Sequence, residues 1–329
     1  MKDEKIKALR SNANRHYSLF TIHYSLPWLI LSAILALTPL LLTNDFYYEI
    51  AIVALFNAMI AVGLNLLMGY AGQISLAHGA FAGLGGYISA ILVGQYSLSP
   101  LFAIAISLGI MAIFAYLIAR PILKLSGHYL AMATLGVGVI VAIALNNEDQ
   151  LTGGTDGMSV ESFSVFGFEF TEGWQWYLLA SVLLLLLLWV MENLIDSPFG
   201  RILRSLHDSE KASGSVGVDV ALYKSRVFVL SVVIATLAGS LYVFFSGFIS
   251  PQEAGFGRSI ELVVMVVLGG MGRLYGAVIG AVILTLLPQL LASFEEYQTL
   301  IYGLIIIGVM VFMPRGIASL FDRFKRRRV

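Results

Sequence analysis

Apolar runs broken by short polar stretches recur from Leu26 to Met313, at 26–43, 50–68, 79–93, 100–119, 127–145, 174–191, 227–246, 259–272, 274–292 and 299–313. Most approach the ~20 residues that a helix needs to cross a bilayer, while 79–93, 259–272 and 299–313 fall short. The runs are apolar on every side and lack the alternation of barrel strands. Because lipid leaves open backbone groups without a partner, the pattern predicts an all-α, polytopic transmembrane helical bundle of about ten membrane segments, some short or re-entrant.

Charge gives the bundle a direction. Lys2, Lys5, Lys7, Arg10 and Arg15 precede the first run, which places residues 1–25 in the cytoplasm and sends that run outward. With strict alternation every other Lys and Arg falls inside, from Arg120 and Lys124 to the basic tail at 314–329, with Arg258 the one exception. Both termini are therefore expected in the cytoplasm, around a transmembrane domain at 26–313. The longest outer loop, 146–173, holds Glu148, Asp149, Asp156, Glu161, Glu169 and Glu172 without a Lys or Arg. The longest inner loop is 192–226. The leader is long and no small-x-small cleavage pattern follows before Asn44, so the first run reads as an anchor rather than a signal peptide. Trp28, Trp174, Trp176 and Trp189 stand near run ends, where rings settle at a bilayer interface.

Composition narrows the function. With 58% apolar and 12% charged residues and a mean hydropathy of +0.86, a water-soluble fold would have no place for its side chains. Zero net charge offers nothing to nucleic acid, and the absence of cysteine removes disulfides, thiolate metal sites and cysteine nucleophiles. No Lys or Arg sits within an apolar run, which speaks against a dedicated site for a strongly anionic solute.

The polar breaks carry the candidate chemistry. Gly69 to Gly79 is too rich in glycine and amide for a lipid-facing helix and reads as an unwound or re-entrant stretch facing protein or water. Gly72, Gln73, Ser75 and His78 are candidates for a translocation path or gate, since exposed backbone and helix ends orient polar or zwitterionic solutes; equally, they could satisfy neighbouring backbone groups. Thr134 and Glu261 are further candidates. Thr134, Asn57 and Asn65 also suit helix-to-helix hydrogen bonds, and Glu261 either faces an interior polar group or caps its run. Leu151 to Met158 reads as a turn cluster without the ligand spacing of a calcium loop, so no metal is expected. Residues 160–170 alternate loosely, as in a small outer hairpin. Gly79, Gly83 and Gly86, and Gly272, Gly276 and Gly280, offer packing faces at near-helical spacing. Within 192–226, Ile202, Leu203 and Leu206 give the stretch from Arg201 the look of an amphipathic helix.

Several blocks together resemble the membrane permease subunits of bacterial branched-chain amino acid ABC transporters, the type with an external Thr-Gly-Gly loop. They are GLNLLMGYAGQISLAHGAF at 63–81, GHYLAMATLG at 127–136, LTGGTDGM at 151–158, SPFGRILRSL at 197–206 and GFISPQEAGFGRSIELVVMVVLGGMGRLYGAVIGA at 247–281. The resemblance covers roughly residues 50–315.

That resemblance implies a multi-pass protein of the bacterial plasma membrane, the inner membrane in Gram-negative cells. Its implied partners are membrane lipid, a second homologous permease, two cytoplasmic ATPase subunits, an extracytoplasmic solute-binding protein and a small amino-acid substrate. The family's coupling helix, Glu-x-Ala-Ala-x-x-x-Gly, falls on Glu210, Ala212, Ser213 and Gly217, in the same loop as Arg201 and Arg204. Ser213 replaces the second alanine, and Gly214 adds a helix cost of about 1 kcal/mol. No Gly-x-x-x-x-Gly-Lys-Ser/Thr loop is present, so ATP and Mg are expected in the partner subunits; the chain is expected to bind no cofactor and not to be an enzyme. Leucine, isoleucine and valine are the implied substrates, with urea, amides or other amino acids as family alternatives. An autonomous ion-coupled transporter built on the break around Gly72 is the rival reading.

Overall fold

The apolar runs become helices because nothing within them competes for their backbone groups. α1 (Leu26–Leu37) is followed by α2 (Asp45–Asn65), α3 (His78–Gly94), α4 (Pro100–Ile122) and α5 (His128–Asn147). The computed structural model describes residues 26–40, 44–165 and 167–291, together with 300, 301, 303, 304, 307, 308, 311 and 316–318. The leader at 1–25, much of the run at 299–313 and most of the basic tail lie outside the described residues. A short α6 (Asp149–Thr152) leads into β1 (Met158–Ser159), β2 (Ser164–Val165) and β3 (Phe168–Glu169). α7 (Gly173–Asp196), α8 (Pro198–Asp208), α9 (Glu210–Ser215) and α10 (Val220–Ser246) follow, then β4 (Phe248–Ile249), α11 (Phe256–Gly269) and α12 (Leu274–Leu290).

Among the described residues, five helical stretches are long and apolar enough to cross a bilayer: Asp45–Tyr70, Pro100–Ile122, His128–Asn147, Gly173–Asp196 and Val220–Ser246. α1, α3 and α12 are apolar but shorter. α2 and α10 form the centre, with 89% and 72% of their most apolar windows buried, against 28% for α4 and for α5 and 33% for α7. The outer helices turn Phe102, Ile113, Leu117, Met132, Ile140 and Leu178 away from the protein, as a surface facing lipid or another apolar subunit would.

Apolar side chains gain little by leaving lipid for protein, so helices here must be held by close packing. α3 lies on α10 at backbone contact: a methyl group on Gly239 would stand 2.2 Å from the Ala82 carbonyl oxygen. Ser240, Ser107 and Ser89 all donate to the Gly85 carbonyl, at 3.1, 2.8 and 3.0 Å, and so join α10, α4 and α3 at one point.

The loops around 158–169 and 248–249 form two small ladders. β2 and β3 form the expected hairpin, Ser164 opposite Glu169, and β1 pairs with β4, Met158 opposite Ile249, which the sequence did not signal. Trp176 is buried among Phe163, Phe170 and Phe245 and donates to the Phe170 carbonyl, so it is a packed core ring rather than an interfacial one.

The run expected at 259–272 differs most. α11 has 14 residues, about 21 Å of helix, and stops at Gly269. Gly272 has φ +72 and belongs to a turn rather than to a helical packing face. The chain reaches α11 by descending along α3: Ile249 meets Gly86, Ala254 meets Gly83, and the Ser259 hydroxyl accepts from the Gly79 amide at 3.1 Å. From Gly86 to Gly79 is about 10 Å along a helix, so α11 starts beside the first turn of α3.

Gly239→Leu should therefore cut the yield of monodisperse protein in mild detergent severalfold, since backbone atoms cannot yield as a flexible side chain does. Gly109→Leu, at an exposed α4 position with nothing within 4 Å, should leave the yield unchanged.

Candidate functional site

α2 does not end cleanly. It widens into a π turn over Leu66–Tyr70, leaves regular structure from Gly72 to Ala77, and the chain resumes as α3 at His78. Burial alternates along this stretch: Gln73 and Ser75 are buried while Gly72 and Ile74 are exposed. The freed groups are answered one by one. The Gln73 amide donates to Leu67 O at 3.1 Å and the Leu76 amide to Thr134 Oγ1 at 3.1 Å. The Ser231 hydroxyl donates to Gly63 O at 2.7 Å, which leaves its oxygen to accept from His78 Nε2, 2.6 Å away. His78 Nδ1 then accepts from the Ser75 hydroxyl at 3.0 Å, so the network is complete with a neutral imidazole protonated on Nε2.

Asn65 closes the other side. Its Nδ2 donates to Arg273 O at 2.8 Å and its Oδ1 accepts from the Gly272 amide at 2.9 Å, tying the end of α2 to the turn between α11 and α12. Gln73 is different: it is buried, and among the described residues neither atom of its carboxamide has a partner. An unanswered buried amide costs about 1–3 kcal/mol, a cost that a purely packing position would shed by becoming apolar.

The loop 192–226 packs directly on this break. α8 starts with Pro198 in its first turn and Ser197 as cap, and buries Leu203 and Leu206 as its apolar spacing predicts. Arg201 and Arg204 donate to the carbonyls of Asp196 and Ile195 at 3.3 and 3.2 Å, answering the open end of α7, and the Arg204 guanidinium lies 6.0 Å from the centre of the Tyr70 ring. α9 is capped by Ser209, which accepts from the Ala212 amide at 3.2 Å, and Ser213 is buried with its hydroxyl donating to Ser209 O at 3.0 Å. Serine thus satisfies itself where the family pattern has alanine. Gly217, at φ +89, makes the turn that follows. The link to the break is Gly72, itself at φ +67: a methyl group there would come 2.9 Å from His207 Nδ1.

Glu210 pairs with Lys224, whose side chain is 3% exposed. Sequence reasoning counted Lys224 only as an inner charge. The signal was its phase in α10, since Lys224, Phe228 and Ser231 share one buried face.

Thr152 of the Thr-Gly-Gly block donates to the carbonyls of Leu145 and Glu148 and so closes α5. Arg258, the exception to the charge pattern, is largely covered by polar partners: Nη2 donates to Asn57 Oδ1, Nη1 to Glu261 Oε2 at 3.2 Å, and Nε lies 3.6 Å from Glu253 Oε2. Asn57 Nδ2 bridges on to Thr285 Oγ1 at 2.9 Å. Glu261 is half exposed and serves as a counter-charge to Arg258, apart from the other path candidates. Lys224 and Arg258 lie just outside the apolar runs, and the folded chain covers both, their side chains 3% and 18% exposed. Gly72, Gln73, Ser75, His78 and Thr134 are brought together at the break, and Arg201, Arg204, Glu210, Ala212, Ser213 and Gly217 lie along the loop beneath it.

The family model described as "Branched-chain amino acid transport system / permease component" matches residues 46–313, a stretch that holds every feature above. The chain belongs to this permease family. Its relatives include the high-affinity branched-chain amino acid transport permease LivM of Escherichia coli K12, 33% identical over 294 residues that cover 82% of this chain and 69% of that protein. LivH of the same strain is 25% identical over 280 residues, 79% of this chain and 90% of that one. The autoinducer 2 import permease LsrC of Salmonella paratyphi B is 26% identical over 280 residues, 82% of this chain and 78% of that protein. No solved structure matches the chain. The permease is a multi-pass membrane protein.

In this permease Glu210→Gln leaves Lys224 as a buried cation without its counter-charge. Losing one partner of a fully buried pair costs ~3–5 kcal/mol; with Glu210 43% exposed the expected local loss is about 2 kcal/mol, seen as faster hydrogen exchange through α9. The double variant with Lys224→Met should exchange more slowly than Glu210→Gln alone.

Proposed function

We propose that this permease forms, with a second permease, the translocation path of an ATP-driven importer for leucine, isoleucine and valine in the bacterial plasma membrane, the inner membrane of Gram-negative cells. Two cytoplasmic ATPase subunits, holding the ATP and Mg, dock on the loop 192–226, and an extracytoplasmic binding protein delivers solute at the acidic loop 146–173. In this reading 26–313 is the permease domain, both termini are cytoplasmic, and the basic tail serves as an anchor at the inner membrane surface. Family membership supports the transport class, and the names LivM and LivH support a pair of permeases.

The observation that carries the mechanism is the contact between α8 and the break in α2. Movement of α8 and α9 on ATP binding and release reaches Gly72 through His207, and with it Gln73, Ser75 and the start of α3. Arg201, Arg204, Glu210, Ala212, Ser213 and Gly217 serve the coupling surface; Gly72, Gln73, Ser75, His78 and Thr134 serve the gate.

The tagged permease purified from native membranes in mild detergent should bring down a second permease and two ATPases in stoichiometric amounts. In proteoliposomes the assembly, supplied with binding protein, should import leucine with ATP and continue when ion gradients are dissipated. A homogeneous self-assembly that imports solute on an ion gradient without ATP would instead establish the autonomous transporter.

A further inference from the structure

Arg258 is an unusual expense in an apolar bundle. A guanidinium inside the protein needs counter-charges and hydrogen-bond acceptors. A lone structural cation would need one carboxylate; this one has Glu261 on one edge and Glu253 on another, with Asn57 between them. The two carboxylates are held differently. Glu261 makes a hydrogen bond at 3.2 Å, whereas Glu253 is 3.6 Å from Arg258 Nε and 3.4 Å from the Tyr242 hydroxyl, both long contacts.

Beside this loosely held side lies a cavity lined by Phe56, Ile60, Tyr242, Val243 and Ile249 together with Asn57, Glu253 and Arg258. It has a volume of about 20 Å³, room for one water-sized group. Tyr242 also borders a second, open cavity of about 380 Å³ whose walls include Asp45, Glu49 and Thr171. Tyr242 thus borders both an open acidic vestibule and a small pocket walled by a cation, an anion and aliphatic side chains.

We infer that Arg258 and Glu253 recognise the zwitterionic head of an α-amino acid, with Phe56, Ile60, Val243 and Ile249 receiving an aliphatic side chain once Tyr242 moves aside. This rests on the reading of the chain as an amino-acid permease. The charges select the class. Arg258, Glu253 and Glu261 sum to one net negative charge, which repels a bare carboxylate, while a bare cation that took Glu253 would stand beside the guanidinium with no group to offer it. A zwitterion entering between Arg258 and Glu253 gives its carboxylate to the guanidinium and its ammonium to Glu253, replacing one long contact by two charge-assisted hydrogen bonds. Urea or a neutral amide would separate the same pair and return only hydrogen bonds without an opposing charge on either side. In the closed state Glu253 takes the place of the substrate carboxylate, which keeps the cation paired while the pocket is empty.

The test uses the full assembly in proteoliposomes with binding protein and ATP, and the diazirine-bearing leucine analogue photo-leucine. Illumination during turnover should place adducts on residues 56–60 and 242–249, and excess leucine should compete them away. Arg258→Gln should lower leucine uptake at least tenfold and abolish those adducts with the assembly recovered in normal yield. Arg258→Lys, which keeps the charge but not the fork, should retain part of both. If Arg258→Gln fails to assemble, Glu253→Gln, which removes only the ammonium partner, is read in the same way. Uptake at the wild-type KM in a recovered variant, or wild-type adducts confined to other segments, overturns the site and leaves the permease reading standing. A wild-type assembly that imports no leucine overturns the permease reading itself.

Discussion

Everything in this bundle follows from one constraint: a backbone amide or carbonyl released from a helix inside an apolar medium must find its partner in the protein. α2 breaks after Tyr70, and the neighbouring helices are furnished to absorb the break. Thr134 of α5 takes the Leu76 amide, Ser231 of α10 holds the His78 imidazole and the Gly63 carbonyl, and Asn65 fastens the turn at Gly272 and Arg273. Four helices are thereby bound to one irregular stretch, and none can shift without disturbing its hydrogen bonds.

That arrangement gives the break two properties at once. Its hydrogen-bonded side is rigid, because each partner sits on a helix packed at backbone distance, as α3 is on α10 at Gly239. Its other side is open to the loop 192–226: Gly72 is exposed and lies against His207, and Gln73 carries an amide that the described residues leave unanswered. In the proposed importer, a stretch tied on one side and touched by α8 on the other is where a gate would take the two positions that alternating access requires. The Lys224–Glu210 pair completes the linkage by joining α9 to the first turns of α10, the same helix that carries Ser231 and, at its far end, Tyr242.

The helices were legible because length and apolarity alone decide them in lipid, and the hairpin at 164–169 was legible from its alternation. Asn57, Asn65 and Thr134 were also readable as bridges, since a polar side chain on a buried helix has few other uses. What escaped was set by distant pairing. β1 and β4 are two residues each, too short to carry a pattern, and their partnership joins positions about ninety apart. The descent of 248–258 along α3 hides in an ordinary-looking loop; only Arg258, out of place in the charge distribution, marked it. Lys224 looked like one more inner charge because burial at the start of a helix depends on what packs over it, here α9 and its glutamate. Trp176 sits at a helix start as an interfacial ring would, and only the hairpin at 164–169 folding over it places it in a core.

The central claim is that motion of the inner loop reaches the break through the contact of His207 with Gly72. The most direct test is the number of leucine molecules imported per ATP hydrolysed by the reconstituted assembly carrying His207→Ala, which removes the ring and leaves α8 in place. The account predicts ATP hydrolysis near the wild-type rate with a clearly lower ratio of leucine to ATP. An unchanged ratio would contradict it, since transmission would then bypass the break.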